Sequence, residues 1–385
     1  MDLELTQEQL MFRDMAKEFA MREVQPTARE RDREEKFFPD IMKKMGDQGL
    51  FGIKVPRELG GLDLDWMTVG LVVEQLSYYD FCVGINCLIG TTLQIMPILT
   101  GGNDAQKKNY IAQLVSGKKC AAFAAVEPNA GSDAVAVETT ATLKGDEWIL
   151  NGNKTWITNA TQGDWAIVLC QTDKSKGVKG MACFIVERDA PGFSSTKIGH
   201  KMGFRSSDTG QLFFRDCRIP NANLLGDIGR GLQLALTCIE HTRFGISFAT
   251  LGVMEACIDS SIKYCLERNQ FSKPIGSFQL MQSQIADMVV DCEASKCLAY
   301  QAAYLKDNGL KYSRETSIAK LHNSEKAAKI SRTAVEMHGA YGITDDFPVE
   351  RYYRDMLSPL IFGGTSNIQR LIIGRNMLGI EAISR

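Results

Sequence analysis

The spacing of apolar residues changes twice along the chain, and this constrains the fold more than any other feature. Over the first 120 residues, apolar side chains recur at helical intervals, as at Met15 and Phe19. Between about 121 and 230 they alternate in short runs rich in β-branched and aromatic residues, which predicts strands. Helical spacing returns from about 231 to 385. The sequence therefore predicts a mainly α protein with an antiparallel β domain between two helical domains.

Individual residues predict where elements begin, turn and end. Thr6 is placed to cap the first helix, and Asn151-Gly152 predicts a two-residue hairpin turn. The later helical periods are interrupted at four places: Pro274, Gly339 to Gly342, Pro348 and Gly363-Gly364. No repeat or flexible linker separates the parts, so we expect them to pack as one body.

Composition excludes several classes of function. The formal net charge is only -2, from 44 Lys+Arg and 46 Asp+Glu, which argues against nucleic acid as a partner. The eleven cysteines form no CxxC pair and predict buried thiols in a reducing compartment, while the four histidines show no metal-ligand spacing. The first twenty residues do not resemble a signal peptide, and no segment reaches the roughly 18 uncharged apolar residues of a membrane span. We expect a soluble, cytoplasmic protein with no metal site.

A nucleotide cofactor would need an unusual binding site in this chain. Neither GxGxxG after a strand nor GxxxxGK[ST] occurs. Small residues with Gly131-Ser132 follow an apolar strand, which leaves backbone N–H groups free for an anion or a ring edge. Trp156 offers a flat apolar surface with the Thr158 hydroxyl on the same strand face, which suits an isoalloxazine ring. The alternative is a core tryptophan beside a turn threonine.

Five motifs match one enzyme family in order and spacing. They are EPNAGSD (127 to 133), NGNKTWITN (151 to 159), RNQFSKPIGSFQ (268 to 279), FPVERYYRD (347 to 355) and GGTSNIQR (363 to 370). With them the sequence resembles the acyl-CoA dehydrogenase family over essentially its whole length. The resemblance implies FAD as cofactor, an N-terminal helical domain (1–120), a central antiparallel β-barrel (121–230) and a C-terminal helix bundle (231–385).

The resemblance also implies which residues contact FAD. The flavin ring would lie between one strand edge and the tryptophan motif, and a neighbouring subunit would complete the site, so FAD binding requires a dimer within a homotetramer. The implied contacts are Phe123, Ala125 and Val126 at the ring edge; Trp156 and Thr158 on its other side; Ser132 at a cofactor or CoA phosphate; Arg268, Phe271 and Gln279 at the neighbouring subunit's FAD; and Glu336, Gly339, Ala340, Thr365 and Asn367 at the pyrophosphate and AMP portion.

The IEHTR segment carries the implied CoA site. Glu240 resembles the acid that hydrogen-bonds CoA, and Arg243 the arginine near the floor of the active site, with Thr242 and Gly364 as further substrate contacts. Glu240 and Arg243 lie one helical turn apart, so an ordinary surface ion pair is the alternative interpretation.

The sequence lacks the catalytic base of most relatives. They have Glu-Gly-Thr where this chain has Gly363-Gly364-Thr365, and that glutamate removes the α-proton of the thioester while the flavin accepts hydride from the β-carbon. Some relatives place the base just before the arginine, but Thr242 stands there. The backbone N–H of Gly363 can still polarise the thioester carbonyl. What is lost is general-base catalysis, normally worth about two to four orders of magnitude.

Other residues are weak substitutes for that base. The nearest available acids are Asp80, at the start of the helix expected to line the pocket, and Glu240. Thr91 stands where a replacement acid would be sought, and a threonine is not a base at neutral pH. Loss of the glutamate also predicts room for a wider acyl group. Val126 replaces a flavin-binding threonine of relatives, and Glu336 replaces a glutamine, which places a carboxylate near pyrophosphate unless Arg268 or a neighbour neutralises it.

These departures favour the branch that oxidises alicyclic thioesters such as cyclohexene-carboxyl-CoA. The resulting hypothesis is dehydrogenation of a cyclic or otherwise unusual acyl-CoA, with electrons passed to an electron-transferring flavoprotein. A base-free elimination of the desulfinase type is the alternative reaction. A third alternative is an acyl-CoA and FAD binder without a base, or a chain in which the glutamate was deliberately replaced.

Overall fold

The computed structural model describes residues 4–382, and its N-terminal part is helical. The predicted cap is confirmed, because Thr6 Oγ1 accepts a hydrogen bond from Gln9 N while Gln9 Oε1 accepts one from Thr6 N. A π-helical turn, Gly90–Ile95, joins two helices that would otherwise be continuous. The helices are α1 (Gln7–Phe19), α2 (Ala28–Arg33), α3 (Pro39–Asp47), α4 (Trp66–Tyr79), α5 (Phe81–Ile89), α6 (Met96–Gly101) and α7 (Asp104–Val115).

The middle part is one open, mixed β-sheet. The strand order is β6-β7-β3-β2-β4-β5-β8, with β1 on β4. The predicted antiparallel barrel is wrong on two counts: the edge strands β6 and β8 do not pair, and β4 pairs with both β1 and β2 in parallel. The strands are β1 (Ala121–Ala124), β2 (Thr140–Lys144), β3 (Glu147–Thr158), β4 (Trp165–Gln171), β5 (Met181–Glu187), β6 (Phe193–Lys197), β7 (Thr209–Pro220) and β8 (Leu224–Leu225).

The predicted hairpin turn is also misplaced. Asn151 and Gly152 lie inside β3, at a shift in its register against β7. The turn between β2 and β3 is instead Gly145-Asp146, where Gly145 has φ +63°. Gly152 is needed for close packing, because a Cβ on it would lie 2.5 Å from Thr139 Oγ1.

The C-terminal part is a helix bundle built around α8, which packs against α4, α9 and α10. The predicted breaks at residues 274, 339–342, 348 and 363–364 all fall between helices. The short hairpin β9-β10 was not predicted. The elements are α8 (Gly231–Glu267), β9 (Asn269–Gln270), β10 (Lys273–Pro274), α9 (Gln279–Asp307), α10 (Ser313–Met337), α11 (Val349–Asp355) and α12 (Ser366–Leu378).

The main hydrophobic core runs from the N-terminal helices through α8 into the bundle, and a second core covers the other face of the sheet. The segment Phe81–Gly101 is long and apolar enough to cross a membrane, contrary to expectation, but 83% of its most apolar window is buried within the protein. It forms core in this fold. Among residues 4–382 no cluster of three or more potential metal ligands occurs.

Candidate active site

In the Gly363-Gly364 turn the carbonyl oxygens accept hydrogen bonds from side chains, whereas the N–H groups donate none within the described residues. Gly363 O accepts from Arg243 Nε and from Gln369 Nε2, each at 3.2 Å. Gly364 O accepts from Gln369 Nε2 at 2.9 Å and from Lys320 Nζ at 2.8 Å. No acceptor within residues 4–382 takes the N–H of either glycine. The half-buried turn therefore leaves two N–H groups available to a ligand.

Two buried basic side chains lie behind this turn. Arg243 is 8% exposed and Lys320 fully buried. Burial lowers the pKa of Arg243, and burial together with the Arg243 charge lowers the pKa of Lys320 to about 7. Neither forms an ion pair with a carboxylate of the described chain, Glu240 included. The anticipated alternative of a Glu240–Arg243 surface ion pair is thus not present.

The positions searched for a base carry hydroxyls that are already hydrogen-bonded. Thr242 Oγ1 lies 2.8 Å from Thr92 Oγ1 and 3.0 Å from Cys238 O. Thr91, in the π-helical turn, approaches Phe51 O at 3.4 Å. These contacts fix the hydroxyls and supply no basic group.

The Asp80 carboxylate is fully engaged in structural contacts. Its carboxylate pairs with Arg31 at 2.6 Å, with both side chains buried. It also accepts from the N–H groups of Cys82 and Val83, which caps α5. A carboxylate with these partners is not free to accept a substrate proton.

The side-chain space at Gly363 is filled. A Cβ built on Gly363 would lie 2.5 Å from Ile246 Cδ1. Gly363 also has φ +67°, a left-handed conformation that favours glycine. The expected extra room for a wide acyl group is therefore not found at this point.

Trp156 lies on the surface at the end of β3. Its side chain is 62% exposed and its φ is +59°, at a second register shift against β7. Thr158 is half-buried two residues on. The alternative interpretation, a core tryptophan, is excluded by this exposure. A large flat apolar side chain held in solvent by an unusual backbone suits a ring-stacking role.

A buried ion pair joins the two segments predicted to edge the flavin. Lys154 Nζ lies 2.8 Å from Glu127 Oε1, with Lys154 fully buried. Thr155 N donates to Val126 O at 3.0 Å, so the strand carrying Trp156 is fixed against the segment after β1. Phe123, Ala125 and Val126 are half-buried there, and Ser132 is exposed on the following loop.

The residues expected to reach a neighbouring subunit are all exposed. Arg268 ends α8 and Gln279 begins α9, on either side of the β9-β10 hairpin. Phe271 at its tip is 88% exposed and has φ +51°. Phe271 contacts the edge of the Phe278 ring, with centroids 5.9 Å apart, and the rest of its side chain projects into solvent, which is consistent with a further contact outside the chain.

The predicted pyrophosphate residues lie at two places near the end of the bundle. Thr365 caps α12, and with Asn367 it lines a surface cavity of about 440 Å³. Gly339 and Ala340 begin a helical turn after α10. Glu336 is paired with Arg332 Nε at 2.9 Å, so its charge is balanced on its own helix and not by Arg268.

Comparison with known proteins agrees with this architecture. The family models for the acyl-CoA dehydrogenase N-terminal, middle and C-terminal domains match residues 6–118, 122–217 and 229–378. The chain belongs to the acyl-CoA dehydrogenase family. It is therefore an oxidoreductase of the class that acts on CH–CH groups.

Individual members of the acyl-CoA dehydrogenase family match over nearly the full length. The mouse mitochondrial short-chain specific acyl-CoA dehydrogenase is 39% identical, covering 98% of this chain and 91% of that protein. A chain in a structure of the electron transferring flavoprotein of Acidaminococcus fermentans is 41% identical with TM-score 0.96, covering 98% and 100%. A glutaryl-CoA dehydrogenase from Mycobacterium smegmatis in complex with FADH2 is 29% identical with TM-score 0.95, covering 99% and 97%.

Several residues of this acyl-CoA dehydrogenase site were missed by sequence reasoning. Lys320 and Gln369 lie in helical periods where nothing distinguishes an inward lysine or glutamine from an outward one, whereas Arg332 lies four residues before Glu336, a spacing visible in the sequence. His241, in the IEHTR segment, has its Nδ1 2.6 Å from Lys306 Nζ. Burial, together with the Lys306 charge, lowers the pKa of His241 to about 3, so this histidine is neutral.

Proposed function

We propose that this acyl-CoA dehydrogenase is an FAD-dependent enzyme of the alicyclic branch, which oxidises a cyclic or otherwise unusual acyl-CoA thioester. The observation that supports the proposal most directly is the Gly363-Gly364 turn. Its carbonyls are bonded to Arg243, Gln369 and Lys320, while its N–H groups have no acceptor in the described chain. Such a turn suits a thioester carbonyl whose oxygen gains negative charge in the reaction.

The chain's own residues would bind and orient the thioester. Gly363 N–H donates to the thioester carbonyl, and Gly364 N–H is a second donor nearby. Arg243, buried behind the turn without a carboxylate partner, favours negative charge on that oxygen. Glu240 and Ser132 would contact the CoA portion, as the family resemblance implies.

The exposed Trp156 and the segment from Phe123 to Val126 fit a flavin. Trp156 presents a ring face to solvent, and the half-buried backbone after β1 is fixed against it by the Thr155–Val126 hydrogen bond. FAD, when bound there, supplies a hydride acceptor. FADH2 is present in the glutaryl-CoA dehydrogenase relative.

The missing base restricts the substrate. In the described chain, Gly363, Thr242 and Thr91 offer no carboxylate, so rapid loss of an α-proton from a simple saturated thioester is not supported. In a conjugated cyclic thioester the polarised carbonyl also acidifies the vinylogous γ-position. A proton lost from the γ-carbon would pass to water or to Glu240, the acid one helical turn from Arg243, and the hydride would pass to the flavin. No base at the α-carbon is then required, which favours this substrate class.

We further propose an electron-transferring flavoprotein as acceptor and a cytoplasmic homotetramer as the assembly. The first rests on the Acidaminococcus relative, whose structure is of such a flavoprotein. The second rests on large apolar side chains left exposed in the C-terminal part, among them Phe271 at 88%, Ile343 at 77% and Leu378 at 74%.

The test is anaerobic bleaching of the flavin by a panel of acyl-CoAs. We expect cyclohexene-carboxyl-CoA to bleach the purified protein quickly and butyryl-CoA to bleach it at least about a hundredfold more slowly, as loss of a general base predicts. Equal rates for both would overturn the cyclic-substrate proposal. Protein that cannot be loaded with FAD would overturn the dehydrogenase proposal as a whole.

A base-free elimination of the desulfinase type is the second candidate. It is favoured by Arg243, which lies buried behind the turn without a carboxylate partner, because its positive charge would stabilise an anionic leaving group. Release of sulfite from a sulfinoacyl-CoA without flavin bleaching would select it. Tight binding of acyl-CoA and FAD with neither reaction would instead indicate a binding protein, or a glutamate replaced at position 363.

A further inference from the structure

Lys320 donates hydrogen bonds to two main-chain oxygens, one before the Gly363-Gly364 turn and one within it. The side chain enters from α10 and is fully buried. Its Nζ lies 2.6 Å from Pro359 O and 2.8 Å from Gly364 O. The amine thus bridges the start and the end of the segment that carries Gly363.

The turn is not held by its own backbone. Gly363 and Gly364 have φ +67° and +89°, and glycine has broad conformational freedom, so a fixed direction of their N–H groups needs outside contacts. Gln369 Nε2 is already shared between the two glycine carbonyls, and Arg243 contacts only Gly363 O. Without Lys320, Pro359 O would lose its side-chain donor and Gly364 O would keep only the shared amide.

Burying a lysine side chain without a carboxylate partner lowers the free energy of unfolding, so the burial of Lys320 is not explained by a gain in stability. Among residues 4–382 it has no ion-pair partner, and an apolar side chain could fill the same volume. A neutral amine has two N–H groups, and two carbonyls are present. Both hydrogen bonds therefore persist in either protonation state of Lys320.

We propose that Lys320 is a positioning residue of the active site, which fixes the Gly363-Gly364 turn so that Gly363 N–H is directed at the thioester carbonyl. The proposal rests on the proposed function, because it requires a thioester at this turn. Lys320 itself touches neither substrate nor cofactor. Its effect is expected in the strength of carbonyl polarisation and not in the affinity for CoA.

The probe is acetoacetyl-CoA, whose enolate absorbs in the near ultraviolet and is stabilised by any donor at the thioester oxygen. The measurement is the pKa of the bound ligand, obtained by pH titration of the enolate band in the FAD-loaded protein. We expect Lys320→Met to raise that pKa by at least about one unit, a tenfold loss of enolate stabilisation. FAD content and the Kd of the neutral ligand, measured at a pH well below that pKa, should stay nearly unchanged. Lys320→Arg keeps donors at this position and should recover part of the shift.

Lys329→Met is the matched control, since Lys329 lies on the same helix with its ammonium in a surface ion pair to Asp291 at 3.0 Å. Should Lys320→Met fail to fold, Lys320→Gln, whose amide can reach one carbonyl, is measured in the same way. A folded Met or Gln variant that binds the enolate with the parent's pKa overturns the role of Lys320. A parent protein that does not lower the ligand's pKa at all overturns the proposed thioester site instead.

Discussion

At the scale of single residues, the surroundings of Gly363 are not simply those of a glutamate site whose side chain has been removed. Its left-handed backbone costs a non-glycine residue about 1 kcal/mol, and Ile246 Cδ1 lies where the Cβ would be. A glutamate at this position therefore needs a neighbour to move. Since the obstructing atom is the end of an isoleucine, Ile246→Val removes it without opening a large cavity.

We predict that Gly363→Glu combined with Ile246→Val creates ordinary α,β-dehydrogenation. Flavin reduction by butyryl-CoA should accelerate by about two orders of magnitude, the usual contribution of a general base, and more than in Gly363→Glu alone. Reduction by the cyclic substrate should slow, because the new side chain fills the site. The measurement is stopped-flow flavin bleaching, with Ile246→Val as control. Parallel improvement with both substrates would show that the glycine is only a lesion.

Trp156 gives a second prediction at this scale. Because it is 62% exposed, Trp156→Ala should weaken FAD retention by about tenfold while the thermal midpoint of the FAD-free protein stays within a degree or so. Trp148 is the control: it is 4% exposed, and Trp148→Ala should destabilise the protein by about 3–5 kcal/mol. The measurements are equilibrium flavin binding and thermal unfolding. A large loss of stability in Trp156→Ala would contradict a ring-stacking role.

At the scale of helices and strands, the sequence predicted periodic features and missed tertiary ones. Helix ends followed Thr6, Pro274 and the glycine-rich breaks, because capping and proline act locally. The prediction of a turn at Asn151-Gly152 was wrong because the chain reverses six residues earlier, at Gly145-Asp146. Sheet closure depends on whether β6 and β8 meet, which no local pattern encodes.

The candidate site shows the same limit. Motifs located Trp156, Thr158 and the Gly363-Gly364 turn, since those residues are unusual for their surroundings in the sequence. Lys320 and Gln369 could not be found, because a single polar residue on a helix is compatible with either face until the packing of α10 and α12 is known. The Arg332–Glu336 pair is the exception, because its i, i+4 spacing was available in the sequence.

Two buried lysines on neighbouring helices predict how stability depends on pH. Burial lowers the pKa of Lys306 on α9 to about 7, as it does for Lys320 on α10. Between pH 7 and about 10 the unfolded chain binds more protons at these sites than the folded one, so the free energy of unfolding rises with pH. Each lysine contributes at most about 1.4 kcal/mol per pH unit.

We expect denaturation at a series of pH values to show this slope, and Lys306→Met to reduce it. The exposed Lys329 serves again as the control, and Lys329→Met should leave the slope unchanged. Methionine suits position 306 because Lys306 Nζ lies over the rings of Trp66 and Tyr312, at 4.3 and 4.0 Å from their centroids. An unchanged slope in Lys306→Met would show that the lysine stays charged in the fold.

At the scale of the whole molecule, the β9-β10 hairpin is the feature that a lone chain does not explain. We predict a tetramer whose subunit contact includes Phe271, so that Phe271→Ser lowers both FAD content and the fraction of tetramer. A phenylalanine that is 88% exposed in the single chain would gain burial in such a contact. Light scattering and flavin absorbance over a dilution series measure both. Val178→Ser, at a 45% exposed apolar residue on the β domain, is the control. Unchanged assembly and FAD content in Phe271→Ser would place the subunit contact elsewhere.

The open sheet also has a consequence for the tendency of the chain to aggregate. An unclosed sheet has two edges, and a long bare edge is a template for pairing with other molecules. Here β8 has only two residues, and β6 ends at Lys197, whose ammonium donates to Glu35 O at 2.8 Å. The two-residue length of β8 and the charged side chain at the end of β6 both disfavour pairing at these edges, so the open sheet is protected from edge-to-edge aggregation.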